Sequence, residues 1–438
     1  MTLPPGPDPA TGREALRSLL KERNMMATLQ IFHRRLGDVF RITLPGFRPI
    51  MVAGPQANRF VLVKARDRLS WRPEGDPVTT LLRHGLLVED GESHDRLRNL
   101  MNPALHKQQV AGYVETMWRY TDQVSARWKD LGPHNMLDEM RRVALLIFMD
   151  TLFAVDFTDD LSRLWQPILR LLKYISPGAW LVWPGVPRPG YQKAIRAVDA
   201  YLYGIIAQRR RAPTGGQDLL SVLIDSRDLD DDLIRDQLLT MLIAGHDTGT
   251  ALMAWSLYLL GKHPEALRRA RDEVDRVLGT EPPTYEALQQ MDYLDRVVKE
   301  SLRRYPPIHG GTRRATEDLE LGEYFLPHGN RVLYSIYLTH RDPKEWTDPD
   351  AFNPDRFIVQ RGERRHEPYA YVPFGGGPRN CIGAVFGQVE AQVVLARLLQ
   401  THNLLLIGDH VRPYMGATLE PHPGVWMTVS PREKFDAR

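Results

Sequence analysis

The 438-residue sequence has a single cysteine, Cys381, so no disulfide can form within it. A disulfide-stapled scaffold is excluded, and a reducing, cytoplasmic compartment is the expected location. There is no excess of charge of one sign, because 57 basic residues against 54 acidic ones leave +3. That balance gives no electrostatic footprint for nucleic acid, and no nucleic-acid partner is expected. Repeats, low-complexity tracts and Gly/Ser linkers are missing, and 43% apolar with 25% charged residues excludes intrinsic disorder. The first residues lack a basic segment followed by an apolar one, so no cleaved secretory signal is expected. Long hydrophobic runs are also missing. The most apolar window, Leu238 to Leu260, carries His246 and Asp247 near its middle. An aspartate at mid-bilayer depth costs about 2.5–3.5 kcal/mol, so this window reads as a buried helix.

What is present is mostly helical periodicity. The spacing of apolar residues predicts helices over Tyr113–Leu131, Asp138–Val155, Lys193–Arg211, Leu229–Lys262, Pro264–Leu278 and Tyr293–Tyr305. Short strands are predicted over Asp38–Thr43, Arg48–Ala53, Leu319–Leu321 and Arg331–Ile336, with a terminal hairpin ending in Val425–Val429. Few short strands against many long helices predict a mainly α (α+β) fold with small sheets. We expect one domain over 1–438, with a β-rich N-terminal part over about 1–70 and a helical core over about 90–305. A Pro- and Asp-rich meander and a cysteine loop follow over about 341–383, and the aromatics of the meander predict that it is packed.

The densest signal is Phe374-Gly-Gly-Gly-Pro-Arg-Asn-Cys-Ile-Gly383. Consecutive glycines let a backbone turn sharply and approach a large flat group. Cys381 is expected to open an apolar helix, Ile382 to Leu399, whose N-terminus favours the thiolate. Such a thiolate is a good axial ligand for iron, whereas one cysteine offers no zinc or iron–sulfur ligand set. Taken alone, a lone cysteine is more often buried and inert. The loop around this one resembles the haem-binding signature of the cytochrome P-450 family, Phe-x-x-Gly-x-Arg-x-Cys-x-Gly, at Phe374, Gly377, Arg379, Cys381 and Gly383.

The resemblance implies the cytochrome P-450 fold and one haem b (iron protoporphyrin IX) ligated by Cys381, held without thioether links because no Cys-x-x-Cys-His occurs. It selects Glu300 and Arg303 as the family's Glu-x-x-Arg pair. The same spacing at Glu14/Arg17, Glu139/Arg142, Glu265/Arg268 and Glu273/Arg276 reads as solvated bridging. Arg356 would complete a structural Glu–Arg–Arg cluster. Ala244-Gly-His-Asp-Thr248 resembles the oxygen-activation motif. There Gly245 and Gly249 would clear space on one side of the helix, and the Thr248 hydroxyl would bond the Ala244 carbonyl. Asp247 and Thr248 would relay protons to dioxygen in that groove. Many members carry Thr or Ser where this chain has Gly249, and His246 is given no role. His94, Arg98, Arg313 and Arg379 would face the haem propionates, with Arg314 as the register-slipped competitor of Arg313.

The implied activity is that of a haem-thiolate monooxygenase. It would insert one atom of O2 into a small apolar substrate such as a fatty acid, terpenoid or carotenoid. Only about forty residues follow the cysteine helix, so electrons are expected from a separate ferredoxin or flavodoxin-type donor with its reductase. The apolar loop over about 176–187, around Trp180, is a candidate for peripheral membrane contact or substrate admission. A peroxide-driven enzyme and a non-catalytic haem-thiolate sensor are the competing readings, and neither needs the Asp247–Thr248 pair.

Overall fold

In a computed structural model of the chain, residues 2–432 are described apart from 23, 45, 72–75, 129–131, 179, 181–187, 189 and 359–366. Five helices position the site: α1 (Gly91–Met101), α2 (Met136–Phe153), α3 (Asp231–Lys262), α4 (Asp292–Arg304) and α5 (Ala384–Thr401). Local chemistry sets their ends. Asn135 accepts from the Leu137 N–H and starts α2, and Ala154, at φ 49°, ends it. Asp230 accepts from the Leu233 N–H, so α3 begins at Asp231. α5 begins at Ala384, not at Ile382, because Gly383 still lies outside the helical conformation.

α3 spans 32 residues, about 48 Å at 1.5 Å per residue. It is buried almost all round between Ile234 and Leu260, as its continuous apolar sequence requires. α2 and α5 pack against it, and the three supply much of one large core. Among the described residues no helix is long and apolar enough to cross a membrane.

The sheets are small, and two expectations about them are corrected. The first seventy residues are not β-rich: helices Pro9–Glu22 and Met25–Leu36, of 14 and 12 residues, occupy more than a third of them. Their strands Val39–Arg41, Ile50–Val52 and Leu69–Ser70 join a five-stranded sheet that Arg331–Ser335 and Gly310–Ala315 complete from far along the chain. The last strand, Trp426–Pro431, is not half of a hairpin. It lies between His402–Leu406 and Pro133–Asn135, and a separate hairpin forms from Arg412–Met415 and Leu419–His422. The meander is packed where it is described. Trp346 is fully buried, and Tyr371 Oη donates to the Lys299 carbonyl of α4. Of the apolar loop at 176–187, residues 179 and 181–187 lie outside the described residues. Trp180 itself is buried and donates Nε1–H to the Ser176 carbonyl at 2.8 Å, so it is not offered to a membrane.

Candidate active site

The cysteine loop is built by two left-handed glycines, Gly375 (φ 71°) and Gly377 (φ 66°). A Cβ on Gly377 would stand 2.5 Å from the Leu62 carbonyl oxygen, so the loop is pressed against its neighbour there. Only Gly375 of the three has open space beside it. The Cys381 N–H donates to the Phe374 carbonyl at 2.8 Å, which folds the cysteine back over the loop. Its sulfur is reached by solvent although protein surrounds it, and so it borders an open space. Burial pushes the thiol pKa up, against the Gly383 N–H and the Arg98 charge, which pull it down. The N–H at the helix start does favour the thiolate, as expected, but burial outweighs it. A bound metal would remove the proton outright.

Three arginines and a histidine gather beside this loop. His94, on α1, is buried and bonds Asp95 at 2.8 Å, and Arg98, one turn on, donates to the Asn380 carbonyl and side chain at 2.7 and 2.8 Å. Arg379 reaches Asp90 at 2.5 Å and the Glu89 carbonyl at 2.6 Å. Alternation along strand Gly310–Ala315 turns Arg313 inward and Arg314 outward, which separates the two registers. Arg313 and Arg379 both lie against the ring of Trp71, at 3.6 and 4.6 Å from its centre. Burial lowers the Arg379 pKa to about 10, and the charges of Arg313 and Arg66 add to the shift although Asp90 opposes it. Burial, then the Arg379 and Arg98 charges, lower His94, against Asp95. Trp71 Nε1 is buried with no acceptor among the described residues. Crowded cations and an orphaned donor beside an accessible thiol fit an iron porphyrin with its two carboxylates.

On α3 the expected groove is differently made. The space at Gly245 is filled by the Phe148 ring, 2.2 Å from where a Cβ would be, and that at Gly249 by Glu390 Oε2, at 2.5 Å. The glycines admit close packing instead of clearing a cavity. The accessible window in this buried helix is at Ala244, which is exposed, and at half-buried Gly245 and Thr248. Thr248 Oγ1 donates to the Ala244 carbonyl at 2.8 Å, as the sequence suggests. Asp247 faces elsewhere. Its carboxylate accepts from Arg141 Nη2 at 3.0 Å and from Thr418 Oγ1 at 2.9 Å, and Arg141 also holds Glu420 at 2.8 Å. His246 Nδ1 meets the Leu242 carbonyl, and the ring is buried.

Glu300, Arg303 and Arg356 do come together. Arg303 clasps Glu300 with Nε and Nη2 at 2.7 and 2.8 Å, and Arg356 Nε adds a bond of 3.3 Å. Sequence reasoning missed Trp71, Arg141, Glu390 and Glu420. Glu390 had one visible signal, a carboxylate in an apolar helix; the others had none.

The family described as Cytochrome P450 matches residues 4–426. Cyclooctatin synthase of Streptomyces melanosporofaciens is 32% identical over 98% of this chain and 94% of its own. Cyclooctat-9-en-7-ol 5-monooxygenase of the same organism is 30% identical over 87% and 84%. Among solved structures, the cytochrome P450DA heme domain superposes with a TM-score of 0.86 at 27% identity, covering 99% of this chain and 97% of that one. With the motif order and the site geometry in agreement, the chain belongs to the cytochrome P450 family of haem monooxygenases.

Proposed function

We propose that this protein hydroxylates an apolar substrate of the terpenoid class, using haem b held by Cys381. Residues 1–438 act as one unit in the cytoplasm, and a ferredoxin- or flavodoxin-type donor with its reductase supplies the electrons. The substrate class follows the names of the two Streptomyces relatives, one of which is a 5-monooxygenase of cyclooctat-9-en-7-ol. The balance is R–H + O2 + 2e− + 2H+ → R–OH + H2O, so each turnover needs two protons as well as two electrons.

The haem supplies dioxygen binding and reductive activation, which a thiolate ligand favours. The chain's residues do the rest. Cys381 is the ligand, with its sulfur steadied by the Gly383 N–H, and Phe374 fixes the loop through its carbonyl. His94, Arg98, Arg313 and Arg379 hold the propionates. Ala244, exposed and ending at Cβ, would leave room for the haem and its dioxygen. Thr248 uses its hydroxyl hydrogen on the Ala244 carbonyl, so its lone pairs are left to hold a water at the groove. Asp247 is the acid that renews that water's proton, and to do so its side chain turns from Arg141 and Thr418 toward the groove. Glu300, Arg303 and Arg356 tie α4 to the meander and keep the loop in place.

The observation that carries this reading is the solvent-reached window at Ala244 and Thr248 in a helix buried on either side. The test is product formed per reductant consumed, with hydrogen peroxide assayed alongside, on a terpenoid found to be oxidised. Thr248→Ala should retain haem and consume reductant but form mostly peroxide. Unchanged coupling would remove Thr248 from the proton path.

A further inference from the structure

Asp247 has a neighbour that the reaction as described leaves unused. Asp247 and Glu420 both accept from the one nitrogen Nη2 of Arg141, at 3.0 and 2.8 Å, and Asp138 stands 4.0 Å from Nη1. Fully ionised, three carboxylates and one guanidinium would carry −3 + 1 = −2. Asp138 is 48% exposed and screened by water, but the Arg141 and Asp247 side chains are 6% and 1% exposed, so the one excess negative charge left among Asp247, Glu420 and Arg141 is screened little. Arginine does not give up its proton in proteins, so the excess is relieved at a carboxyl. Carboxylates that share a site retain a proton between them. Burial first, and the Asp247 charge second, push the Glu420 carboxyl up to about 7, against the pull of Arg141. Glu420 is also the buried pair's contact with water, with 22% of its side chain exposed. Thr418, two residues before it, donates to the far oxygen of Asp247 at 2.9 Å, so one short stretch of chain grips the acid from two sides.

We propose that Glu420 is the outer end of a proton relay into the dioxygen groove, positioned against Asp247 by Arg141. The proposal rests on the reading of Asp247 as the acid of that groove. A neutral Glu420 carboxyl gives its proton to the Asp247 carboxylate. Asp247 passes it to the water held at Thr248, and Glu420 takes a replacement from bulk water. Each transfer moves one proton and no electron, and Arg141 stays charged throughout. The groups that face Glu420 are Arg141 and Asp138 from α2, Asp247 from α3, and Tyr414, its cross-strand partner. His246 is electrostatically linked to Asp247 and Arg141, but burial holds its imidazole below the usual range, so it adds no positive charge.

The experiment follows turnover of the holoenzyme against pH, in water and in heavy water, for the wild type, Glu420→Gln, Glu420→Asp and Asp247→Asn. The wild-type rate should decline as pH rises through about 7, where Glu420 loses its proton. Glu420→Gln should bind haem and substrate normally, run about tenfold slower with a larger solvent isotope effect, and lose that limb of the profile. Glu420→Asp should restore a titrating limb. A carboxyl infrared band titrating near neutral pH should be present in the wild type and missing from Glu420→Gln, independently of turnover. A wild-type rate and profile in Glu420→Gln, beside a slow Asp247→Asn, would overturn the relay while leaving Asp247 as the acid. A wild-type rate in Asp247→Asn would overturn the reading beneath it. Should Glu420→Gln fail to hold haem, Glu420→Asp decides: a profile identical to the wild type in a band-free protein counts against the relay.

Discussion

Two buried arginines in this protein meet carboxylates in opposite proportions. Glu300 is one carboxylate between two arginines, and every donor of Arg303 is used: Nε and Nη2 on Glu300, Nη1 on the His340 and Pro349 carbonyls, Nη2 again on Ala351. Glu300 Oε1 also accepts from the Asn353 N–H. Arg141 is one arginine among three carboxylates, with its Nε buried and unpartnered among the described residues. A saturated cluster has one arrangement and no proton to move, which suits a bolt between α4 and the meander. An unsaturated one retains a proton that can shift between sites, which suits a relay. Burial differs as well, since Glu300 and Arg303 are fully buried while Glu420 and Asp138 are 22% and 48% exposed, so the ratio of partners and the access to water together decide what each can do.

The largest expected effect comes from breaking the saturated cluster. Arg303→Ala leaves Glu300 fully buried with only the longer Arg356 bond and the Asn353 N–H, a loss of about 3–5 kcal/mol. Urea unfolding and haem retention should both register it, and Arg356→Ala should cost less because its bond to Glu300 is longer. A loss within about 1 kcal/mol would put the pair in the class of surface bridges.

The unsaturated cluster predicts a pH effect of smaller size. The folded-state pKa of Glu420 is raised from 4.5 to about 7, so between those values the folded protein binds a proton that the unfolded chain does not. Stability should therefore decline as pH rises through that window, by at most roughly 3 kcal/mol. Unfolding midpoints measured across pH 4.5–8 should show the slope in the wild type and a flatter line in Glu420→Gln. Equal slopes would mean that Arg141 outweighs burial and Glu420 is ionised throughout.

The two clusters also differ in how far they could be read from the sequence. Glu300 and Arg303 are three apart on one helix, and a known motif selects them. The partners of Arg141 lie 106 and 279 residues away, on α3 and on a four-residue strand, and no local pattern connects them. The same limit applies to the fold. Most of the expected helices were legible to within two residues, but Tyr113–Leu131 stops at Ser125, and Pro9–Glu22, Met25–Leu36, Leu161–Ile175, Gly310–Ala315 and His402–Leu406 were missed. Short strands are specified by distant partners more than by their own residues. The glycines of α3 show a third limit: sequence indicated room at Gly245 and Gly249, but not that Phe148 and Glu390 would fill it.

Glu390 sharpens the comparison by taking the partner count to zero. It is as buried as Glu300, yet neither of its oxygens has a hydrogen-bond partner among the described residues. Burial alone lifts its pKa well above the ordinary carboxyl value, which favours its neutral form. Removing Arg303 strands a charge, but removing Glu390 strands nothing. The lost group had been desolvated without return, and leucine offers similar volume without that penalty. Glu390→Leu should therefore unfold within about 1 kcal/mol of the wild type, or later in urea. The Gly249 contact stays short only for Oε2 at the end of a flexible side chain, so leucine can turn its methyl groups aside. A loss near that of Arg303→Ala would mean that Glu390 is hydrogen-bonded to an ordered water, and partner number, not burial, would again account for the cost.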